Sequence, residues 1–209
     1  MHVEELWRYP VKSLRGEQVA SAGVGESGID GDRRIYVAGG GRVITARTHP
    51  ALLALQATLD DGGEARIEGD PWDAPTSLER IRAVAGPDAA LLRAPIGAFD
   101  VLPLSVATDG AVDYLGIDRR RLRPNIVIGG VGGLGEREWP GRRLLIGEVV
   151  IGIARLRPRC VMTTWDPDTQ VQDSTVLRRI VHDLNGTTAL DCAVEQAGLI
   201  EVGATVRLA

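Results

Sequence analysis

Short alternating runs of apolar and polar residues fill the first sixty positions, the period-two pattern of half-buried strands. Segments 3–9, 18–24, 34–38, 42–46 and 53–59 read as strands, separated by Gly16, Gly25, Gly28, Gly31 and the Gly39-Gly40-Gly41 run. Segment 60–97 carries a weaker pattern, broken by Asp60-Asp61-Gly62-Gly63 and Asp70-Pro71, with a helical turn over 77–84. A domain boundary is drawn there, giving regions 1–97 and 98–209. Alternation resumes with a strand over 101–107; Thr108 then caps a short helix that runs through Tyr114-Leu115 and closes at Gly116. Further strands are predicted over 125–128, 144–146, 149–156, 160–164, 188–195 and 205–208. The clearest helix starts near Ser174, where Val176, Leu177, Ile180, Val181 and Leu184 share one face and Asn185-Gly186 ends it. The pattern predicts a mainly β chain with a few short helices.

Composition narrows the classes of function. Of 209 residues, 44% are hydrophobic and 25% charged, the balance of a folded chain, and 26 glycines with 11 prolines match many turns between short strands. The formal net charge is −4, which argues against general nucleic-acid binding, because phosphate-backbone affinity needs a broad basic surface. Any anion must be held by a local cluster of cations. No apolar run is long enough for a signal peptide or a transmembrane helix, so the expectation is a cytoplasmic protein with no membrane partner. Two cysteines and three scattered histidines are too few for a zinc site or an iron–sulfur cluster, so a bound metal would have to arrive largely pre-ligated.

Three groups of residues are candidates for chemistry. Gly130-Val131-Gly132-Gly133-Leu134-Gly135 matches a dinucleotide fingerprint, but Pro140-Gly141 leaves no room for the helix whose N-terminus must face a pyrophosphate, so a plain glycine-rich loop is expected. Cys160 follows Arg157-Pro158-Arg159; neighbouring cations favour the thiolate that ligates metals, against the alternative of a small buried hydrophobe. Cys192, between Leu190 and Val194 with no cation beside it, reads as core. Lys12-Ser13, Arg33, Arg47 and Arg123-Pro124-Asn125 sit in turn-like contexts; each alone reads as a solvated charge, and only Arg123-Pro124-Asn125 has the stiffness to fix a guanidinium fork and an amide for planar recognition.

Taken jointly, these segments resemble the MOSC family with its N-terminal β-barrel extension, which includes the mitochondrial amidoxime-reducing components and related bacterial proteins. Tyr9-Pro10-Val11-Lys12-Ser13-Leu14-Arg15-Gly16 is similar to the family's opening motif, and Gly31-Asp32-Arg33 and Ile44-Thr45-Ala46-Arg47 to its next two landmarks. Arg123-Pro124-Asn125-Ile126-Val127-Ile128 resembles the start of the MOSC core, followed in family order by Glu136, Trp139 and Leu145-Ile146-Gly147. The run Arg159 to Thr169 resembles the cysteine motif, and Ile200 to Val206 the closing strand.

The resemblance implies two interlocked small β-barrel-like domains and a molybdenum cofactor of the molybdopterin type, with Cys160 as catalytic residue and metal ligand. It implies that Lys12, Ser13 and Arg33 face the cofactor phosphate, and that Arg47, Arg123, Asn125 and Arg159 contact phosphate or pterin. The implied activity is reduction of small N-hydroxylated or N-oxide substrates, with electrons from an external flavin or ferredoxin-type reductase, since no ferredoxin-like extension follows Ala209. The alternatives are a cofactor-binding or sulfur-carrier module without its own turnover, and a metal-free thiol protein. Pro158, Val101 and Leu102 depart from the polar residues of relatives, so some pterin contacts would be made by backbone.

Overall fold

The computed structural model describes residues 1–209. The N-terminal half forms β1 (His2–Arg8), β2 (Glu17–Val19), β3 (Ser21–Gly25), β4 (Gly28–Ile29), β5 (Ile35–Gly39), β6 (Arg42–Ile44), β7 (Ala57–Leu59), β8 (Ala65–Ile67) and β9 (Asp70–Pro71), then helix α1 (Pro75–Ala85) and β10 (Ala90–Arg93). The C-terminal half forms β11 (Leu104–Thr108), α2 (Asp109–Leu115), β12 (Ile126–Gly129), β13 (Arg143–Ile146), β14 (Val149–Pro158), α3 (Ser174–Leu184), β15 (Thr187–Gln196), β16 (Gly198–Glu201) and β17 (Val206–Leu208). The mainly β expectation holds. The expected barrel-like halves are built from one open eight-stranded sheet, ordered β17-β13-β14-β15-β11-β12-β1-β2, and three small three-stranded sheets. No helix is long and apolar enough to cross a membrane.

The halves are interlocked through strands of the first thirty residues. β1 pairs antiparallel with β12, Leu6 opposite Ile126, and β3 pairs with β16, Ala22 opposite Ile200. The larger core accordingly mixes Val3, Leu6, Val24 and Ile29 with Val106, Ile128, Ile151 and Leu190. Cys192 belongs to it, fully buried, as its apolar face predicted. A second core joins Val11, Leu14, Ile35, Val37, Leu52, Ile67 and Ile81, and receives Met162 and Trp165 from the segment after Cys160. A cleft between the two cores is therefore walled by both halves.

Several boundaries differ from the sequence reading. The strand expected over 53–59 begins as a 3-10 turn, Pro50–Ala54, because Pro50 starts a helical turn readily and Leu52 and Leu53 bury there. The 18–24 strand divides at Ala20 into β2 and β3, which join different sheets. Segment 60–97 is richer than expected, holding β8, β9, α1 and β10. Pro158 does not interrupt β14, which pairs through it to Thr187 at the strand's last position, where a missing amide costs no ladder bond. The strand expected over 160–164 is a 3-10 turn, Val161–Thr164, opened by the Cys160 carbonyl, which accepts from the Thr163 amide at 3.1 Å and hydroxyl at 2.9 Å. The glycine-rich loop after β12 leads into another 3-10 turn, Gly135–Glu138, with no helix to face a pyrophosphate. It instead caps α2: Asp109 accepts from the Gly130 and Val131 amides at 2.6 and 3.0 Å, and a Cβ on Gly110 would meet the Val131 and Gly133 carbonyls at 2.3 Å.

Because β1 sits inside the C-terminal sheet, the halves should unfold together. Leu6→Ala, which empties a fully buried site, should cost about 3 kcal/mol and leave one cooperative urea transition by both fluorescence and circular dichroism. Two resolved transitions would show that the cores are independent.

Candidate functional site

A cavity of about 270 Å³ opens between the halves, lined by Lys12, Ser13, Arg33, Thr45, Arg47, Asp100, Arg121, Arg123, Arg157, Arg159, Cys160 and Thr163 among others. Every residue singled out from the sequence lines it except Asn125. Seven cationic side chains face one carboxylate there, so the local charge is strongly positive in a protein of net charge −4.

Backbone geometry brings these cations together. Ser13, Arg33 and Arg123 adopt left-handed φ values of 73°, 50° and 50°, a conformation uncommon for residues other than glycine and often found where function fixes a side chain. The turn at Lys12-Ser13 is tied to the next motif by hydrogen bonds from the Lys12 amide to the Ile35 carbonyl at 2.8 Å and from the Arg33 amide to the Tyr9 carbonyl at 2.7 Å. Asp32, almost fully buried, accepts from the Tyr9 amide at 2.7 Å and pairs with the Arg33 guanidinium. Gly31 precedes it with φ of 79°, where a Cβ would strike Leu59 at 2.3 Å.

Tyr9 organises the wall. Its ring lies 4.9 Å from the Arg33 guanidinium carbon and 4.2 Å from that of Arg123, while its hydroxyl donates to the Pro124 carbonyl at 3.2 Å. A ring within reach of two cations attracts both. Burial pushes the phenol of Tyr9 up to about 12, against the pull of Arg123 and Arg33. Asn125 stands behind this group, fully buried: its Oδ1 accepts from Arg33 Nη1 at 3.3 Å and from the Ser105 amide at 3.1 Å, and its Nδ2 donates to the Trp7 carbonyl at 3.3 Å. It supports the cationic wall from within and does not line the cavity.

The cations differ in how far they are neutralised. Lys12 donates to Asp100 and to the Ala98 carbonyl, both at 2.7 Å, and Arg47 reaches Asp100 at 3.2 Å. Burial lowers the Lys12 ammonium pKa against the opposing pull of Asp100; burial also works to raise the Asp100 carboxyl, but Lys12 and Arg47 outweigh it and hold it below the usual range. Arg121 pairs with Asp166 at 3.0 Å, and Arg157 with the fully buried Asp191 at 2.5 Å. Arg123 and Arg159 have no carboxylate partner. Arg123 donates to the Leu14 carbonyl at 2.8 Å and Arg159 to the Leu122 carbonyl at 2.6 Å, and Nε and Nη1 of Arg159 are buried without a partner. Burial pulls both guanidinium groups down to about 10, with Arg33 and Arg157 respectively adding repulsion. Buried unpaired charge is costly and unmet buried donors are rare, so this wall is built for an anion.

Cys160 sits at this wall, half-buried, next to Arg159 and at the mouth of its 3-10 turn. Sequence reasoning missed Arg121, Arg157, Asp100, Thr45 and Thr163. A signal existed for Arg157: Arg155, Arg157 and Arg159 alternate, and on a strand such residues share a face. Ending that strand at Leu156 hid it.

Comparison with known families places the chain. Residues 1–86 match the model of the MOSC N-terminal beta barrel domain and residues 86–207 that of the MOSC domain. The chain belongs to the MOSC family. Among its curated relatives, mitochondrial amidoxime-reducing component 1 of Mus musculus is 24% identical over 236 residues, covering 82% of this chain and 67% of that protein. Mitochondrial amidoxime reducing component 2 of Macaca fascicularis is 27% identical over 231 residues, covering 82% and 68%. Among solved structures, the YuaD protein of Bacillus subtilis superposes with a TM-score of 0.55 over 99% of this chain and 94% of its own, at 13% identity, which shows a shared fold.

The buried state of Tyr9 is measurable. The fold favours the neutral phenol, so its contribution to stability is complete below about pH 10 and is lost as pH rises from about 10 to about 12. Absorbance at 295 nm should show a phenol ionising near pH 12 that Tyr9→Phe removes. Loss of no late component in the variant would mean that the ring is not buried against the arginines.

Proposed function

We propose that the cationic cavity holds a molybdenum cofactor of the molybdopterin type, with Cys160 as the thiolate ligand. The protein then acts as an oxidoreductase on small N-hydroxylated or N-oxide substrates, in the cytoplasm, with electrons from a separate flavin or ferredoxin-type reductase. The observation that carries this reading is the wall at Arg123 and Arg159. Two buried guanidinium groups without carboxylate partners, one with two unmet donors, stand beside a thiol, in a chain of the MOSC family. An oxyanion-bearing ligand meets the donors, and a thiolate suits a metal that already carries sulfur ligands. The relatives named as amidoxime-reducing components support the N–O substrate class.

Within this reading the chain's residues divide the work. Lys12, Ser13 and Arg33 bind phosphate; Arg47, Arg123 and Arg159 bind phosphate or pterin; Asn125 and Tyr9 keep Arg33 and Arg123 in position. Asp100 neutralises Lys12 and Arg47 until a competing anion takes them over. When bound, the cofactor supplies the two-electron redox chemistry of N–O cleavage, while the protein supplies ligation, orientation and electrostatics.

Protein made in a cofactor-competent host should contain about one molybdenum per chain, as one cysteine ligand per chain implies, with pterin released on denaturation. Preparations lacking both, beside a loaded control molybdoenzyme, would rule the reading out. Turnover of an N-hydroxylated base should need an added reductase partner. A holoprotein that binds the cofactor but never turns over with an artificial electron donor would instead be a carrier module.

Substitutions at the two cysteines should separate their roles. Cys160→Ala should abolish turnover with little change in melting temperature. Cys192→Ala should keep turnover and lose about 1–2 kcal/mol of stability, since it deletes one buried sulfur from the core. Lys12→Met removes a charge-assisted contact of about 1.5–3 kcal/mol. Molybdenum occupancy should fall while turnover per bound molybdenum changes much less; the opposite outcome would move Lys12 from cofactor retention to the chemistry.

A further inference from the structure

Behind the wall formed by Arg121, Arg123 and Met162 lies a second cavity of about 30 Å³. Trp7, Tyr9, Leu53 and Trp165 give it apolar and aromatic walls, and Arg15 and Arg123 bring charge to it. Two of its lining side chains have buried donors with no partner, Nε of Arg15 and Nε1 of Trp165. Both are donors only, so the space lacks an acceptor.

Charge points the same way. Arg120, which also lines the cavity, is neutralised by Asp118 and Asp168, each at 2.6 Å, and Arg121 by Asp166 at 3.0 Å. Arg15 has only a loose pair with Asp168 at 4.0 Å, that carboxylate being already committed to Arg120, and its Nη2 donates to the Pro167 carbonyl at 2.9 Å. Arg123 has no carboxylate at all. A water could fill the volume, but water cannot offset the charge of the buried Arg123, and two unmet N–H donors lining one cavity suit an anionic acceptor.

We propose that this second cavity binds a small planar oxyanion, either a free ion or the carboxylate end of an organic acid, through Arg15 Nε and Trp165 Nε1. Trp7, Tyr9 and Trp165 give apolar surface beside the anion. Arg123 is common to this cavity and to the larger one, so an anion here also offsets the charge of the wall between them. The proposal does not depend on the cofactor and is tested on the chain as purified.

The four tryptophans give four indole N–H signals in a nitrogen-15 correlation spectrum. Titration with acetate or nitrate at pH 7 should move the Trp165 signal downfield and saturably, with chloride at least about tenfold weaker because one atom cannot give each donor an oxygen of its own. Calorimetry should show acetate binding weakened about tenfold or more by Trp165→Phe, which keeps a ring, and by Arg15→Gln, as expected for loss of a bond to a charged group. Benzoate binding about tenfold tighter than acetate would assign the site to organic acids, and equal affinities to a free oxyanion. A Trp165 signal unmoved at about 50 mM acetate, well above a millimolar Kd, would overturn the proposal. So would chloride matching acetate, or full binding retained in Arg15→Gln.

Discussion

The rest of this structure depends on how positive charge is held under burial. Arg33, Arg123 and Arg159 converge on one wall, and only Arg33 has a carboxylate beside it. Like charges in a partly desolvated space repel strongly, and each would gain by turning out to water. The fold opposes that with a tyrosine ring in contact with both Arg33 and Arg123, with backbone carbonyls of Leu14 and Leu122 as fixed acceptors, and with left-handed backbone at Arg33 and Arg123. Each device is local and modest, about 0.5–2 kcal/mol for a cation over a ring. Together they hold a charge distribution that an anion stabilises and an empty site tolerates.

That wall could not be built from either half alone. Lys12, Ser13, Arg33 and Arg47 come from the region matched by the N-terminal model, while Arg123, Arg159 and Cys160 come from the other. The seam is fixed because β1 enters the large sheet beside β12, just after Arg123-Pro124-Asn125, and the chain then turns at Tyr9-Pro10 into the cationic loop. Asn125 joins the two directly, holding Ser105 and Trp7 on its backbone side and Arg33 on the cavity side. Strand addition thus sets the site's geometry: a slip of one residue in β1 would turn every side chain to the opposite face and misplace Tyr9.

How much of this was legible in the sequence follows from the range of each interaction. Strand and helix patterns that depend on near neighbours read well: β5, β13, α2 with its Thr108 cap, and α3 from Ser174 to Leu184. Readings that took a residue type at face value failed. Pro158 looks like a strand breaker, yet at the end of β14 its missing amide is harmless; the apolar run after Cys160 looks like a strand, yet Met162 and Trp165 pack onto the other half's core and so curl into a 3-10 turn. The residues picked out by motifs, Lys12, Arg33, Arg123 and Cys160 among them, do come together at one cavity. Asn125 was found for the motif's sake and proves to act from behind the wall. Arg121 was not found, because what marks it is its pairing with the distant Asp166, and Arg157 was lost when the strand was ended at Leu156.

Pairing also explains why arginines so numerous do not all serve the same end. On β14, Arg155 and Arg157 both grip Asp191 of β15, at 3.1 and 2.5 Å, and that carboxylate is fully buried beside Cys192 in the core. Asp191 therefore makes Arg157 a fixed, neutralised part of the cavity lining. Two residues further on, Arg159 has no such partner and keeps unmet donors. The end of β14 and the residue just after it thus present a compensated and an uncompensated guanidinium, with Cys160 next in line. The compensated one gives shape and hydrogen-bonding surface at little electrostatic cost, whereas the uncompensated one gives the field. Losing Asp191 would leave Arg157 uncompensated as well and raise the repulsion along this wall, so the placing of that one buried carboxylate decides which guanidinium groups, Arg123 and Arg159, are left for an anion to neutralise.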